Sequence, residues 1–169
     1  MPLLDQIREE KLIGLAKACF DPPPTGAEEK VLRDSASSLD QDLPEADAPR
    51  PPIRPEFVRW LATDPEAATY IDPKGLRVYA ATIPGKLDLT ECHVNPALTL
   101  FRCDFQSEIN LEFAETRSIY ILDSSLAGGI RAEFVIVHGS LFLQRIESTG
   151  EILLLAHRSR AFCIAPARS

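Results

Sequence analysis

Long apolar runs are missing from this chain. A membrane-spanning helix needs about 18 or more consecutive apolar residues, and Ile152 to Ala156 is as long as any run here. The opening residues, Met1-Pro2-Leu3-Leu4-Asp5, lack the basic region and apolar core of a signal peptide. The expected compartment is therefore the cytoplasm. Cysteine is scarce as well. Cys19, Cys92, Cys103 and Cys163 are widely spaced and form no CxxC motif. Free thiols are expected, with a Cys92–Cys103 disulfide as the alternative. The three histidines, His93, His138 and His157, lack the spacing of a metal site. No phosphate-binding loop, dinucleotide-binding loop or nucleophile motif occurs. Catalytic residues, a metal and a cofactor are all expected to be absent. Positive charge is in deficit, with 18 Lys and Arg against 25 Asp and Glu and a net charge of −7. Nor do the basic residues form a stripe for direct nucleic-acid binding, which is not expected. Asn-Gly and Asp-Gly hairpin turns are absent too.

What is present is a repeat. Apolar-x-apolar triads recur at Leu76-Arg77-Val78, Leu87-Asp88-Leu89, Leu98-Thr99-Leu100, Ile109-Asn110-Leu111, Ile119-Tyr120-Ile121, Ile130-Arg131-Ala132, Leu141-Phe142-Leu143 and Ile152-Leu153-Leu154. Their centres step by 11 residues, once by 10. Alternation within each triad is the period of a strand, so the middle side chain faces away from its neighbours. A second column follows four residues after each centre: Ala81, Cys92, Cys103, Ala114, Ser124, Val135, Ile146 and His157. Two residues further on come Ile83, Val94, Phe105, Thr116, Leu126, Val137, Ser148 and Ser159.

A fixed period predicts a solenoid whose units bury their faces only by stacking. Two units make one rung of about 22 residues, and the stretch holds about four rungs. An antiparallel sandwich of short strands is the rival, disfavoured by the missing hairpin turns. Cys103-Asp104-Phe105, Ile109-Asn110-Leu111 and Leu87-Asp88-Leu89 resemble divergent pentapeptide repeats. The stretch Ile83-Pro84-Gly85-Lys86-Leu87-Asp88-Leu89 resembles the opening rung of uncharacterised bacterial β-helical proteins. The resemblance covers roughly residues 75 to 160. It implies a mainly β protein, a right-handed parallel β-helix with a quadrilateral cross-section; the uncharacterised bacterial family supplies no activity. The step of 11, where the family has 10, is a departure, as are the many large first positions.

Three regions follow. Residues 1–52 read as a helical arm and a Pro-rich linker. A helix is expected over 3–19 with Leu4, Ile7, Leu12, Leu15, Ala16 and Cys19 on one face. A second, capped by Thr25 and Glu28, should run to about Leu39. Residues 40–52 are too rich in Asp, Glu and Pro for a packed element. Residues 53–74 read as a helix over 54–62 and an entry loop from Thr63 to Pro73. Phe57, Trp60 and Leu61 should cap the first rung, with Trp60 lying over it. Residues 75–169 are the solenoid. Its far end has no comparable cap; the alternatives are that Ala161-Phe162-Cys163-Ile164 folds over it, that two copies join there as a homodimer, or that the chain is a truncation of a longer array.

The expected role is a non-catalytic protein-binding or scaffolding module with an unknown protein partner. The outward middle residues Thr99, Tyr120 and Phe142 are the candidate interface, because stacked exposed aromatics mark interaction sites. The opposite row, Asp88, Asn110, Arg131 and Leu153, should also face solvent. A convex solenoid offers no cleft for acid-base chemistry. Some pentapeptide-repeat proteins imitate DNA and bind topoisomerases, which the resemblance makes the second reading. Residues 1–75 hold 15 acidic and 9 basic side chains, however, while residues 76–169 hold 10 and 9. The repeats themselves are nearly neutral.

Overall fold

The structure, a computed structural model, describes residues 3–155 and 158–165. Strands begin where the triads begin. The first turn contains β1 (Leu76–Tyr79), β2 (Thr82–Ile83), β3 (Leu87–Asp88) and β4 (His93–Val94). The second contains β5 (Leu98–Phe101), β6 (Asp104–Phe105), β7 (Ile109–Asn110) and β8 (Glu115–Thr116). The third contains β9 (Ile119–Leu122), β10 (Ser125–Leu126) and β11 (Ile130–Arg131), then passes into β12 (Ile136–Gln144). That strand carries the chain into the fourth turn, completed by β13 (Glu147–Ser148), β14 (Ile152–Leu153) and β15 (Arg158–Ala165).

Every pairing between these strands is parallel, each with the equivalent strand one turn away. Leu76 lies opposite Leu98, Leu98 opposite Ile119, and Ile119 opposite Leu141. Like residues therefore stack on like, as the spacing predicts, and the chain is a parallel β-solenoid of about four turns. The interior is apolar: Leu76, Val78, Ile83, Leu87, Leu89, Leu100 and Phe105 have no exposed surface. Each such side chain contributes about 1.5–3 kcal/mol relative to exposure. Ser148 departs from its column and is exposed on β13.

The tail supplies a correction. Ala161 to Ile164 do not fold across the last turn. They continue the coil as part of β15, with Phe142 opposite Cys163. His157 lies outside the described residues.

Helices occupy the N-terminal side: α1 (Leu3–Cys19), α2 (Gly26–Ala36), α3 (Pro55–Thr63) and α4 (Pro65–Tyr70). The second helix stops three residues short of Leu39, and α4 replaces part of the expected loop. Asp64 starts α4 by accepting a hydrogen bond from Ala67 N at 2.8 Å. The inward face of α1 also differs from the apolar stripe. Its buried residues are Asp5, Leu12 and Ala16, whereas Leu4, Ile7 and Cys19 are exposed. The reason is polar: Asp5 accepts Ser38 N at 2.9 Å and Ser38 Oγ at 2.8 Å, which turns that face inward.

The first turn's free edge is covered. Against β1 lies α2, and α3 lies against β3 and β4. Pro51 to Ile53 pair with β2, Thr82 N donating to Pro51 O at 3.0 Å and Ile53 N to Thr82 O at 2.9 Å. Phe57 and Leu61 are fully buried. Trp60 is half-buried, its ring 5.5 Å from Phe20 and 5.9 Å from Phe57. Residues 40–52 have no helix, yet side chains of the coil and its entry hold them. Lys74 Nζ meets Asp40 at 2.5 Å, and the Arg102 guanidinium donates to Pro44 O.

Candidate interaction surfaces

The corners of the coil are made by residues with positive φ. Ala80, Glu91, Arg102, Phe113, Asp123, Phe134 and Arg145 have φ between 48° and 56°. Each falls three residues after a triad centre. Side chains other than Gly, Asn and Asp pay about 1–2 kcal/mol for this left-handed conformation. Backbone bonds hold it in place: Phe113 N donates to Glu133 O at 3.0 Å, and Phe134 N to Leu155 O at 2.8 Å. Corner side chains consequently rise in two ladders, one turn per step.

One ladder runs Ala80, Arg102, Asp123, Arg145. Arg145 forks onto Asp123, with both N···O distances 2.5 Å. That hydrogen bonding holds the Asp123 carboxyl below its usual range. The other ladder runs Glu91, Phe113, Phe134. The two phenyl rings stack with centroids 5.1 Å apart and planes 9° from parallel. They are 56% and 51% exposed. Leu155 and Ile136 are exposed beside them along the chain, and Glu112 and Glu133 immediately precede them. Sequence reasoning missed this pair. The signal was available as two phenylalanines 21 residues apart in the same column.

Thr99, Tyr120 and Phe142 do stand in register, one above the next. The Tyr120 and Phe142 rings lie 6.4 Å apart and tilted by 43°. All three are half-buried. Arg77 begins this row and is buried beneath the arm, its guanidinium donating to Ser37 O and to Leu39 O. The opposite row, Asp88, Asn110, Arg131 and Leu153, is also in register. Asn110 departs from expectation and is buried. Its amide donates to Glu112 at 3.0 Å and its carbonyl accepts Glu112 N at 2.9 Å, folding the side chain along the surface.

On the face after the phenylalanine corner, Glu115 sits between two histidines. His138 Nε2 lies 2.5 Å from one carboxylate oxygen and His93 Nδ1 3.6 Å from the other. The bond to His138 is the main reason the Glu115 pKa is lowered. Among the described residues, no group of three His, Cys, Asp or Glu side chains is placed to hold a metal ion. All four cysteines are free. Cys103 fills the interior, where burial pushes its thiol pKa up to about 12, so the thiolate needed for nucleophilic chemistry is disfavoured. Among the described residues, no helix is long and apolar enough to cross a membrane.

Comparison of the chain with protein-family models, with curated proteins and with solved structures finds no match in any of the three.

Proposed function

We propose that this protein is a non-catalytic, cytoplasmic binding module that docks a protein partner on its phenylalanine corner. The carrying observation is the Phe113–Phe134 stack. Two large aromatic side chains are kept more than half exposed, at positions where their backbone is strained, in parallel contact with each other. Aromatic anchors of this kind dominate binding energy at protein interfaces. Glu91, in the same corner column, and Glu133, next to Phe134 in the chain, flank them. A partner segment carrying apolar and basic side chains suits that rim. The Tyr120–Phe142 row is proposed as a second, flatter contact.

The test is affinity capture from native cells with three forms of the full chain. Phe113→Ser with Phe134→Ser should release a partner that the parent chain retains, while circular dichroism and the thermal midpoint stay unchanged. Tyr120→Asp with Phe142→Asp reports on the second row. Identical captured sets from parent and phenylalanine variant, both folded, would overturn the reading.

The coil itself is proposed to be right-handed and four-sided, a divergent relative of pentapeptide repeats. Its support is four strand segments per turn, each stacked on its equivalent. A homodimer through the C-terminal end belongs to the same proposal. Among the described residues, β13 and β14 pair on one side only, and such edges attract strands. Light scattering at micromolar concentration would contradict the dimer by returning the mass of one chain. DNA imitation is the weaker second reading. It calls for free surface carboxylates, and those of the repeats are largely engaged: Asp123 by Arg145, Glu108 by Lys86 and Arg131, Glu115 by the histidines.

A further inference from the structure

Residues 40–53 form an arch over the first turn of the coil. Its feet are fixed by side chains of the coil and of its entry. At one end Arg77 holds Ser37 O and Leu39 O, and Lys74 holds Asp40. Arg102 holds Pro44 O in the middle. At the other end Thr82 Oγ1 donates to Arg50 O at 2.9 Å, and Pro51 to Ile53 pair with β2. Beneath the arch, against α2, lies a cavity of about 400 Å³.

The walls are mostly apolar. Val31 comes from α2, Pro44 and Pro51 from the arch, and Ala80 and Ala81 from the coil. The small residues on the coil side leave the room. Few polar groups reach in: the Tyr79 side chain, Asp42, and the Lys30–Asp34 pair. Lys30 neutralises Asp34, which leaves the excess charge of the lining with Asp42. Asp42 is exposed and therefore marks the mouth, while Tyr79 is half-buried. Sites with apolar walls and a few convergent polar groups, formed where two parts of a chain meet, are where small molecules bind.

We infer that this cavity binds a small organic cation: a one-ring or short aliphatic body held between the prolines and alanines, with its ammonium group at Asp42 and Tyr79. An anionic ligand of the same shape would meet Asp42 at the mouth and the acidic excess of the arm. The ring of Tyr79 adds a cation–π contact for an ammonium placed over its face. This site lies apart from the phenylalanine corner, so its failure leaves the binding-module reading untouched.

The test is a titration of the full chain followed by amide chemical shifts, with three probes of one shape: 2-phenylethylammonium, 2-phenylethanol and phenylacetate. The cation should shift Val31, Ile53, Ala80 and Ala81 saturably, and more tightly than the other two. Asp42→Asn should weaken it by roughly tenfold, equivalent to the loss of one charge contact, and leave the alcohol unaffected. Ala48→Trp, which fills the cavity from the arch, should abolish shifts at Ala80 and Ala81. Dispersed amides from β7 and β11 report that each variant keeps its coil. Equal or tighter binding of phenylacetate or the alcohol would overturn the inference. So would shifts that ignore both variants, or no saturation by the cation at about 10 mM.

Discussion

Arg54 forks onto Glu28, with Nε 2.8 Å from Oε1 and a terminal nitrogen 2.8 Å from Oε2. The same carboxylate accepts Thr25 N at 2.9 Å and Arg54 N at 3.2 Å. One fully buried side chain thus closes the capping box of α2 and ties it to the residue that starts α3. Both helices contact the first turn of the coil, so this clamp links the arm to the covered end.

Glu28→Gln keeps the shape and removes the charge. Breaking a buried pair costs about 3–5 kcal/mol, less where one partner reaches solvent, and the Arg54 side chain is 23% exposed. The expected loss is about 2–3 kcal/mol, read as a lower urea midpoint with an unchanged slope. A loss under about 0.5 kcal/mol, the size of an ordinary surface change, would mean that the clamp is incidental.

The same pair sets a pH dependence. Burial pushes the Glu28 pKa up, but hydrogen bonds from the Arg54 side chain and from the backbone of Thr25 and Arg54 outweigh it. The folded value ends below the ordinary 4.5. The Asp123 value is lowered by Arg145 in the same direction. The unfolded chain therefore takes up these protons first as pH falls. Their contribution is complete above about pH 4.5 and is lost as pH drops through the lower folded values. Stability measured from pH 7 to pH 2 should fall chiefly below about 4.5, and Glu28→Gln should flatten that fall. An unchanged acid limb in the variant would contradict the assignment.

Two glycines should respond oppositely to alanine. Gly129 has φ +75°, and an added Cβ would lie 2.0 Å from Glu151 O on the neighbouring turn. Gly129→Ala should cost at least about 3 kcal/mol, because both backbone strain and a backbone clash must be relieved. Gly14 is on the exposed face of α1 with nothing within 4 Å. Gly14→Ala should gain up to about 1 kcal/mol from helix propensity alone. Thermal unfolding of the two variants checks both signs.

Phe113→Asn should separate stability from function. Asparagine tolerates the left-handed corner better than phenylalanine, so the variant should gain about 0.5–1 kcal/mol. It should also weaken retention of the partner, since half of the stack is gone. A destabilised variant would show that the exposed ring supports the coil.

Much of the coil was legible because its constraint is local and repeated. Leu98-Thr99-Leu100 and Leu141-Phe142-Leu143 announce strands by alternation, and their spacing announces which strand stacks on which. The capping box at Thr25 and Glu28 was legible for the same reason. Other features were hidden by contacts far apart in sequence. Asp5 faces inward only because Ser38 meets it. The arch looked like a linker because its composition is that of one; what holds it are Lys74, Arg77, Thr82 and Arg102, residues of the coil and its entry.

The sequence by itself determined an 11-residue period of buried pairs, which has to be stacked to leave water, and favoured a parallel coil over an antiparallel sandwich. Tertiary structure alone decided which outward side chains stay uncovered and what the arm encloses. Phe113 and Phe134 become a surface only when the corners bring them one turn apart, and the space beneath the arch exists only once two distant segments have met.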